Sequence, residues 1–120
     1  MRGKARLEKM KIATDVMREH SISKFTRALA VEQAILDQIM ELDERRATAI
    51  NGAQMLDGSD LATRRAAERW LVWANAEKVR LTTNLSARRA ETMLLRKDAQ
   101  VALGRDMAVD MLLSRGEGAN

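Results

Sequence analysis

The chain has 120 residues, a formal net charge of +4, and neither proline nor cysteine. The lack of cysteine excludes disulfides and thiolate metal sites, and no stretch approaches the roughly 18 apolar residues that indicate a membrane span. One Phe, two Trp and no Tyr leave too little aromatic bulk to fill the core of a compact globular domain.

The first predicted element is a helix over about residues 4–50. This stretch is rich in Ala, Leu, Met, Arg and Glu, which favour a helix, and has no proline to interrupt one. We expect the helix to run unbroken through Ser21 and Ser23, and a kink re-capped by one of these serines is the alternative. Its apolar residues recur three or four positions apart, as on the buried face of a helix. They are Leu7, Met10, Met17, Phe25, Leu29, Val31, Ile35, Leu36, Ile39, Leu42 and Ile50, with Thr14 on the same stripe.

A loop is predicted over residues 51–60. Gly52 and Gly58 permit the positive φ angles that helix ends and tight reversals require. Ser59 or Asp60 is then placed to cap the second helix by accepting hydrogen bonds from its first free backbone amides.

The centre of this reversal decides which residues meet. We place it near Met55, so that residues at equal distances from Met55 face each other. Leu29 should therefore meet Leu81–Leu85 in the partner helix. On the same basis Gly104 lies opposite the start of helix 1, where close helix approach or fraying of the helix end would explain a glycine.

The second predicted helix covers about residues 61–114 and is followed by a flexible tail over residues 115–120. Its seam residues alternate in steps of four and three, the heptad pattern of a left-handed coiled coil. They are Leu81, Leu85, Arg88, Thr92, Leu95, Ala99, Ala102, Asp106, Val109 and Leu113. The polar members Arg88, Thr92 and Asp106 are expected to fix the register. The sequence therefore predicts an all-α fold, a long antiparallel two-helix coiled-coil hairpin.

The charges alternate in sign along the chain. Residues 1–27 hold eight basic and three acidic side chains, residues 28–60 two and seven, and residues 61–120 eleven and seven. A hairpin would bring the acidic end of helix 1 opposite the basic start of helix 2 and so favour one orientation. The acidic group is Glu32, Asp37, Glu41, Asp43 and Glu44, and the basic group is Arg64, Arg65, Arg69, Lys78 and Arg80.

The sequence has no arrangement typical of catalysis, so we predict no enzyme, no cofactor and no metal site. The single histidine, His20, is expected to be a solvated surface residue, because its neighbour Glu19 points about 100° away on a helix. There is no glycine-rich phosphate loop and no nucleophile elbow. One predicted basic patch consists of Lys4, Arg6, Lys9 and Lys11, with Arg88, Arg89, Arg96 and Lys97 opposite. Because the tryptophans that could stack on bases lie at the other end of the hairpin, nucleic-acid binding is not expected.

The most specific local feature is the pair Trp70 and Trp73, three residues apart on one helix face. They either cap the apolar end of the hairpin against Leu42, Ile50 and Met55, or they form an exposed anchor of the kind that dominates protein interfaces. Both interpretations hold if one ring packs inside and the other points out.

The helix–loop–helix layout and the segment after the loop resemble the FliJ family of flagellar type III export components. Trp70, Trp73, Leu81 and Leu85 look like that family's aromatic-then-aliphatic spacing at the start of the second helix. The resemblance covers roughly residues 5–113. It implies a non-enzymatic protein that folds as an antiparallel two-helix coiled coil similar in shape to the stalk of rotary ATPases.

The resemblance also implies two protein partners, the export ATPase and the export gate, which the protein would link as a stalk while escorting transported proteins as a chaperone. The residues implied to enter the ATPase ring are Lys4, Arg6, Lys9, Lys11 and Arg105. Those implied to face the gate are Arg65, Arg69, Trp70 and Trp73. Such a protein is cytoplasmic and reaches the inner membrane through its partners.

A second interpretation is a scaffolding coiled coil that forms a homodimer, a four-helix bundle in which abundant Met and Ala serve the second interface. A nucleic-acid binder is the third. The first residues have no apolar h-region of a secretion signal, which also leads us to expect a cytoplasmic location.

Overall fold

A computed structural model describes residues 2–55 and 60–118 of the chain. Within those ranges there are two helices, α1 over Arg2–Met55 and α2 over Leu61–Gly118, and no strand. Glu32 of α1 pairs with Arg89 of α2, and Asp43, which comes later in α1, pairs with Lys78, which comes earlier in α2. The two helices therefore run antiparallel. The predicted all-α antiparallel two-helix hairpin is therefore confirmed.

Both helices are longer than the sequence pattern indicated. α1 continues through Gly52 to Met55, so the first half of the predicted loop is helical. α2 continues to Gly118, so most of the predicted flexible tail is helical as well. A helical glycine costs only about 1 kcal/mol relative to alanine, and neighbouring helix formers outweigh that penalty here. α1 is also continuous through Ser21 and Ser23, as expected.

Asp60 starts α2 by capping its first turn. Its Oδ1 accepts hydrogen bonds from the backbone amides of Ala62 at 3.1 Å and Thr63 at 3.3 Å, and the Thr63 hydroxyl donates to Oδ2 at 2.6 Å. The hydrogen bond from the Thr63 hydroxyl is the main cause that lowers the pKa of the Asp60 carboxyl. Of the two predicted capping residues, Ser59 and Asp60, the structure shows Asp60 in this role. Ser59 and Gly58 lie outside the described residues.

The chain divides into two compact units, described here one at a time. Unit 1 is built from residues up to Ala30 and from Ala90 onward, and unit 2 from Val31–Arg89. Each unit contains a segment of α1 packed against a segment of α2.

Unit 2 has an aliphatic core. Its buried members are Ile35, Leu42, Ala74, Leu81 and Leu85, with Leu36, Ile39 and Trp70 packed against them. At the edge of this core the Lys78 ammonium lies 2.8 Å from Asp43, and the Arg89 guanidinium lies 3.5 Å from Glu32. The predicted pairing of acidic α1 with basic α2 holds for Asp43 and Lys78, whereas Arg80 pairs with Glu77 of its own helix.

Unit 1 has a narrower seam of small and polar residues. On α2 the buried residues are Thr92, Ala99, Ala102, Asp106 and Val109. On α1 the side chains that reach this seam include Lys11, Thr14 and Arg18, all of which bond to Asp106. Small side chains let the two backbones approach closely, and the buried carboxylate is satisfied from the opposite helix.

The predicted register was wrong. Thr14 and Asp106, which share a hydrogen bond, are equally distant in sequence from Asp60, so the reversal is centred near Asp60 and not near Met55. Leu29, predicted to meet Leu81–Leu85, belongs to unit 1 and is 46% exposed. The cause is the extension of α1 to Met55, which moves the turn toward the C-terminus.

The predicted α2 seam is confirmed, since every position except the exposed Arg88 is buried or half-buried. The α1 seam was only partly right. Its shielded positions alternate by four and three residues from Leu7 to Ala49 and include Lys11, Thr14, Arg18, Ser21, Glu32 and Arg46. The residues predicted for the seam but found exposed are Met10, Met17, Leu29, Val31 and Ile50. A seam between only two helices admits two residues per heptad, so apolar neighbours of those positions remain outside.

Candidate interaction surfaces

Trp70 and Trp73 occupy different environments on α2. Their ring centroids lie 6.2 Å apart with the planes tilted by 46°. Trp70 is half-buried and packs against the unit 2 core, whereas Trp73 is 53% exposed. One ring therefore lies inside and one outside, the combined interpretation of the pair. Of the predicted neighbours Leu42 belongs to that core, Ile50 is exposed, and the side chain of Met55 lies outside the described part of the structure.

A shallow groove of about 240 Å³ runs beside the exposed Trp73 ring. Its walls are charged and come from both helices: Gln38, Glu41, Leu42, Arg45, Glu77, Arg80 and Leu81. Arg80 donates from Nε to Glu77 at 3.1 Å, and this pairing lowers the pKa of the Glu77 carboxyl. An exposed indole surrounded by charges of both signs matches the anchor-and-rim composition of protein interfaces.

The basic residues predicted for partner binding fall into two groups by position. Arg65 and Arg69 are exposed on the first turns of α2, where they line a surface depression with Glu68 and Val72. In unit 1 the residues that were predicted to bind a partner and are exposed are Lys4, Arg6, Lys9 and Arg105. Both groups therefore present cations to solvent.

Lys11 is set apart from those exposed cations by a buried ionic cluster. Asp106, only 1% exposed, accepts from Lys11 Nζ at 2.9 Å and from the Thr14 hydroxyl at 2.8 Å through Oδ1, and from Arg18 Nη1 at 2.6 Å through Oδ2. The Lys11 ammonium also lies 2.8 Å from Asp110. A third carboxylate, on Asp15, is 3.0 Å from the same ammonium.

The cluster holds its members in their charged forms. The hydrogen bond from Lys11 lowers the pKa of Asp106 to about 2, against the opposing effect of burial. The carboxylates of Asp110 and Asp106, in that order, raise the pKa of Lys11. Lys11 is thus engaged in contacts within unit 1, and its role in partner binding stays a prediction.

This cluster escaped the sequence-based prediction although part of its signal was present. Asp106 was recognised as a polar seam position, but its partners were not. Lys11, Thr14 and Arg18 are spaced by three and four residues, which is itself a heptad pattern. A search for polar residues at heptad spacing on α1, opposite a polar seam residue on α2, would have found them.

A second surface that the sequence-based prediction missed lies on the outer side of α2 in unit 1. Large apolar side chains there are each more than half exposed: Met93, Leu94, Val101, Met107 and Met111. Outer positions of a two-helix coiled coil are ordinarily polar, because they face water. An apolar strip of this kind indicates an interaction surface.

The described part of the chain has few features typical of other functions. It contains no group of His, Cys, Asp and Glu side chains able to hold a metal ion. Its single histidine, His20, is exposed as predicted. Neither α1 nor α2 is apolar enough over a sufficient length to cross a membrane.

No protein-family model, no curated protein and no solved structure matches this chain. Inferences about its function therefore depend on the paired helices and on the surfaces described above.

Proposed function

We propose that this protein is a non-enzymatic coiled-coil component of the flagellar type III export apparatus, acting as a stalk or escort between the export ATPase and the export gate. The observation that supports this most is Trp73, an exposed ring beside a groove lined by charges from both helices. An exposed tryptophan offers the large apolar contact area that often anchors a protein interface. The resemblance to the FliJ family supplies the identity of the partners.

The gate-binding surface in this proposal is formed by Arg65, Arg69 and Trp73. Trp73 supplies apolar contact area, and the two arginines supply donors for acidic side chains of the gate. Trp70 acts from beneath, because its packing on the unit 2 core holds the neighbouring Trp73 ring in place.

The ATPase-binding surface in this proposal is formed by Lys4, Arg6, Lys9 and Arg105. These exposed cations suit an acidic protein surface, and they speed encounter with it more than they strengthen the final complex. Lys11 contributes indirectly by fixing the helix pair in unit 1. The protein then acts in the cytoplasm and approaches the inner membrane through its partners.

Co-purification with the export ATPase tests this proposal. Reversing the charges with Lys4→Glu, Arg6→Glu and Lys9→Glu together should abolish association, because six units of charge change at one end of α1. The matched control is Lys24→Glu, Arg64→Glu and Arg96→Glu, which changes the same number of exposed cations elsewhere. Association that survives the first triple variant, or is lost equally in both, would remove the assignment of this end.

A second candidate function is a scaffold that associates with itself into a four-helix bundle. The apolar outer strip of α2 in unit 1 favours it, because a second hairpin would cover those side chains. Light scattering on the purified chain separates a monomer from a dimer. The strip and the Trp73 groove lie on different units, so self-association through the strip does not use the groove. Arg105 lies in unit 1 with the strip, so a second hairpin would compete with the export ATPase for this residue.

A further inference from the structure

The outer side of α2 in unit 1 carries a second heptad stripe besides the seam. Its members alternate by three and four residues: Leu94, Lys97, Val101, Gly104, Ala108 and Met111. Residues so spaced share one helix face. Val101 follows the buried Ala99 by two residues, about 200° around the helix. The second stripe therefore points away from α1, where α2 has no partner within the described chain.

Apolar exposure along this stripe is high for a surface position. Leu94, Val101 and Met111 are each more than half exposed, as are Met93 and Met107 beside them. The pattern is that of a coiled-coil seam with nothing packed on it.

Gly104 sits in the middle of the stripe without a role inside the hairpin. A Cβ built on it would meet no atom within 4 Å, so close approach of α1 does not explain this glycine. Fraying does not explain it either, because α2 continues to Gly118. A glycine is less stable than alanine inside a helix, but it lets another helix come close. Gly104 therefore leaves space for a helix to pack on the outer face.

The stripe is self-complementary about its centre when two copies lie antiparallel. The two-fold axis is placed near Val101. Leu94 then faces Ala108 of the second copy, and the aliphatic part of the Lys97 side chain packs on Gly104 of the second copy. Ala90 faces Met111 of the second copy. Each large side chain meets a small one, which is the condition for dense packing between helices.

Charges on one edge of the stripe are complementary in the same arrangement. Asp98 and Arg105 lie seven residues apart and are exposed, and neither has an ion-pair partner in the described part of the chain. Around the same axis, Asp98 of each copy faces Arg105 of the other, giving two ion pairs. A parallel copy would place Asp98 beside Met93 of the second copy and form neither ion pair, so the charges favour the antiparallel pairing.

We propose that this outer face of α2 docks a second copy of the chain, antiparallel and around a two-fold axis at Val101. An isologous interface needs a patch that complements itself, and both the sizes and the charges of the side chains here meet that condition. This face is the surface through which the four-helix bundle described above would assemble. Its assembly does not depend on binding to the export ATPase.

Sedimentation equilibrium on the full chain tests the surface. Val101→Glu puts two buried carboxylates against each other at the axis and should raise the dimer Kd by at least about 100-fold. Val79→Glu is the control, because Val79 is a 66% exposed apolar residue of α2 in unit 2, and it should leave Kd unchanged. Circular dichroism should give equal helicity for both variants.

Charge exchange tests the antiparallel pairing. Asp98→Arg and Arg105→Asp should each weaken the dimer about tenfold by creating like-charge contacts. The double variant restores the pairs with signs reversed and should recover the original Kd. Failure of the double variant to recover would overturn the antiparallel arrangement.

Cysteine crosslinking tests the axis directly, because the chain has no cysteine of its own. Gln100→Cys should form a disulfide-linked dimer with itself. Met93→Cys should not, since its copies lie about 20 Å apart across the axis, but it should crosslink to a Met107→Cys chain mixed with it.

A chain that stays monomeric at millimolar concentration, or a dimer that survives Val101→Glu, would overturn the inference. So would self-crosslinking of Met93→Cys. Co-purification with the export ATPase should be retained by Val101→Glu, so failure of the docking face and failure of the proposed function give different results.

Discussion

At the scale of single residues, Asp106 best explains why the helices pair in this register. It is almost fully buried and takes three hydrogen bonds from α1, from Lys11, Thr14 and Arg18. A shift of one heptad would move Lys11 and Thr14 away from this carboxylate and break the hydrogen bonds that compensate for its burial. A buried ionic group of this kind selects register more than it adds stability.

Asp106→Asn should lower the thermal midpoint at neutral pH, because Lys11 and Arg18 then lose the buried carboxylate that both of them contact. The sign of the pH dependence follows from the lowered pKa. The folded value of about 2 lies below the ordinary 3.8, so the stabilisation is complete above about pH 4 and is lost as the pH falls through about 2. The difference in midpoint between wild type and variant should shrink over that window.

Thermal unfolding followed by circular dichroism between neutral pH and pH 2 measures this effect. Asp37→Asn is the control, since Asp37 is exposed and accepts a hydrogen bond from Gln33 of its own helix. A pH-independent difference for Asp106→Asn would contradict the role assigned to the charge.

At the scale of the helices, the α2 seam was predictable and the α1 seam was not. On α2 the seam residues from Leu81 to Leu113 alternate in steps of four and three, so periodicity alone identified the seam. On α1 the exposed Met10 adjoins the seam residue Lys11, and hydrophobicity favours the wrong one. The correct choice depends on partners more than ninety residues away, which a single-helix pattern does not contain.

The register failed for a related reason. The glycine at position 52 favours a helix end there, although α1 runs past it to Met55. A weak local preference decided the loop position, while the actual turn is set by the Asp60 cap and by the contacts of Asp106.

The stability of the protein should respond differently to truncation of Trp70 and of Trp73. Trp70→Ala removes a ring packed on the unit 2 core and should reduce the free energy of unfolding by about 2 kcal/mol. Trp73→Ala removes a mostly exposed ring and should change it by less than about 0.5 kcal/mol. Urea titration followed by circular dichroism measures both.

Trp70→Ala and Trp73→Ala are controls for each other, because both remove a tryptophan and the two positions are three residues apart. Partner binding should be lost with Trp73→Ala at full helicity. Collapse of the helical signal in Trp73→Ala would show instead that this ring is a packing residue.

At the scale of the whole molecule, the fold could be predicted from composition. A chain without proline and with few aromatic residues favours long helices that pack in pairs over a compact globular core. The surfaces that carry the proposals were less predictable. The Asp106 cluster and the outer stripe of α2 both need the seam to be known before a residue can be assigned to the inside or the outside. Only Trp70 and Trp73 stood out from the sequence alone.

The most direct test is crosslinking in cells with a photoreactive benzophenone amino acid in place of Trp73. The proposed function predicts an adduct with a component of the export gate, formed at position 73 and not in place of Val79, which is even more exposed. No adduct at position 73, or equal adducts at both positions, would contradict the claim that this hairpin works by docking the Trp73 surface on the gate.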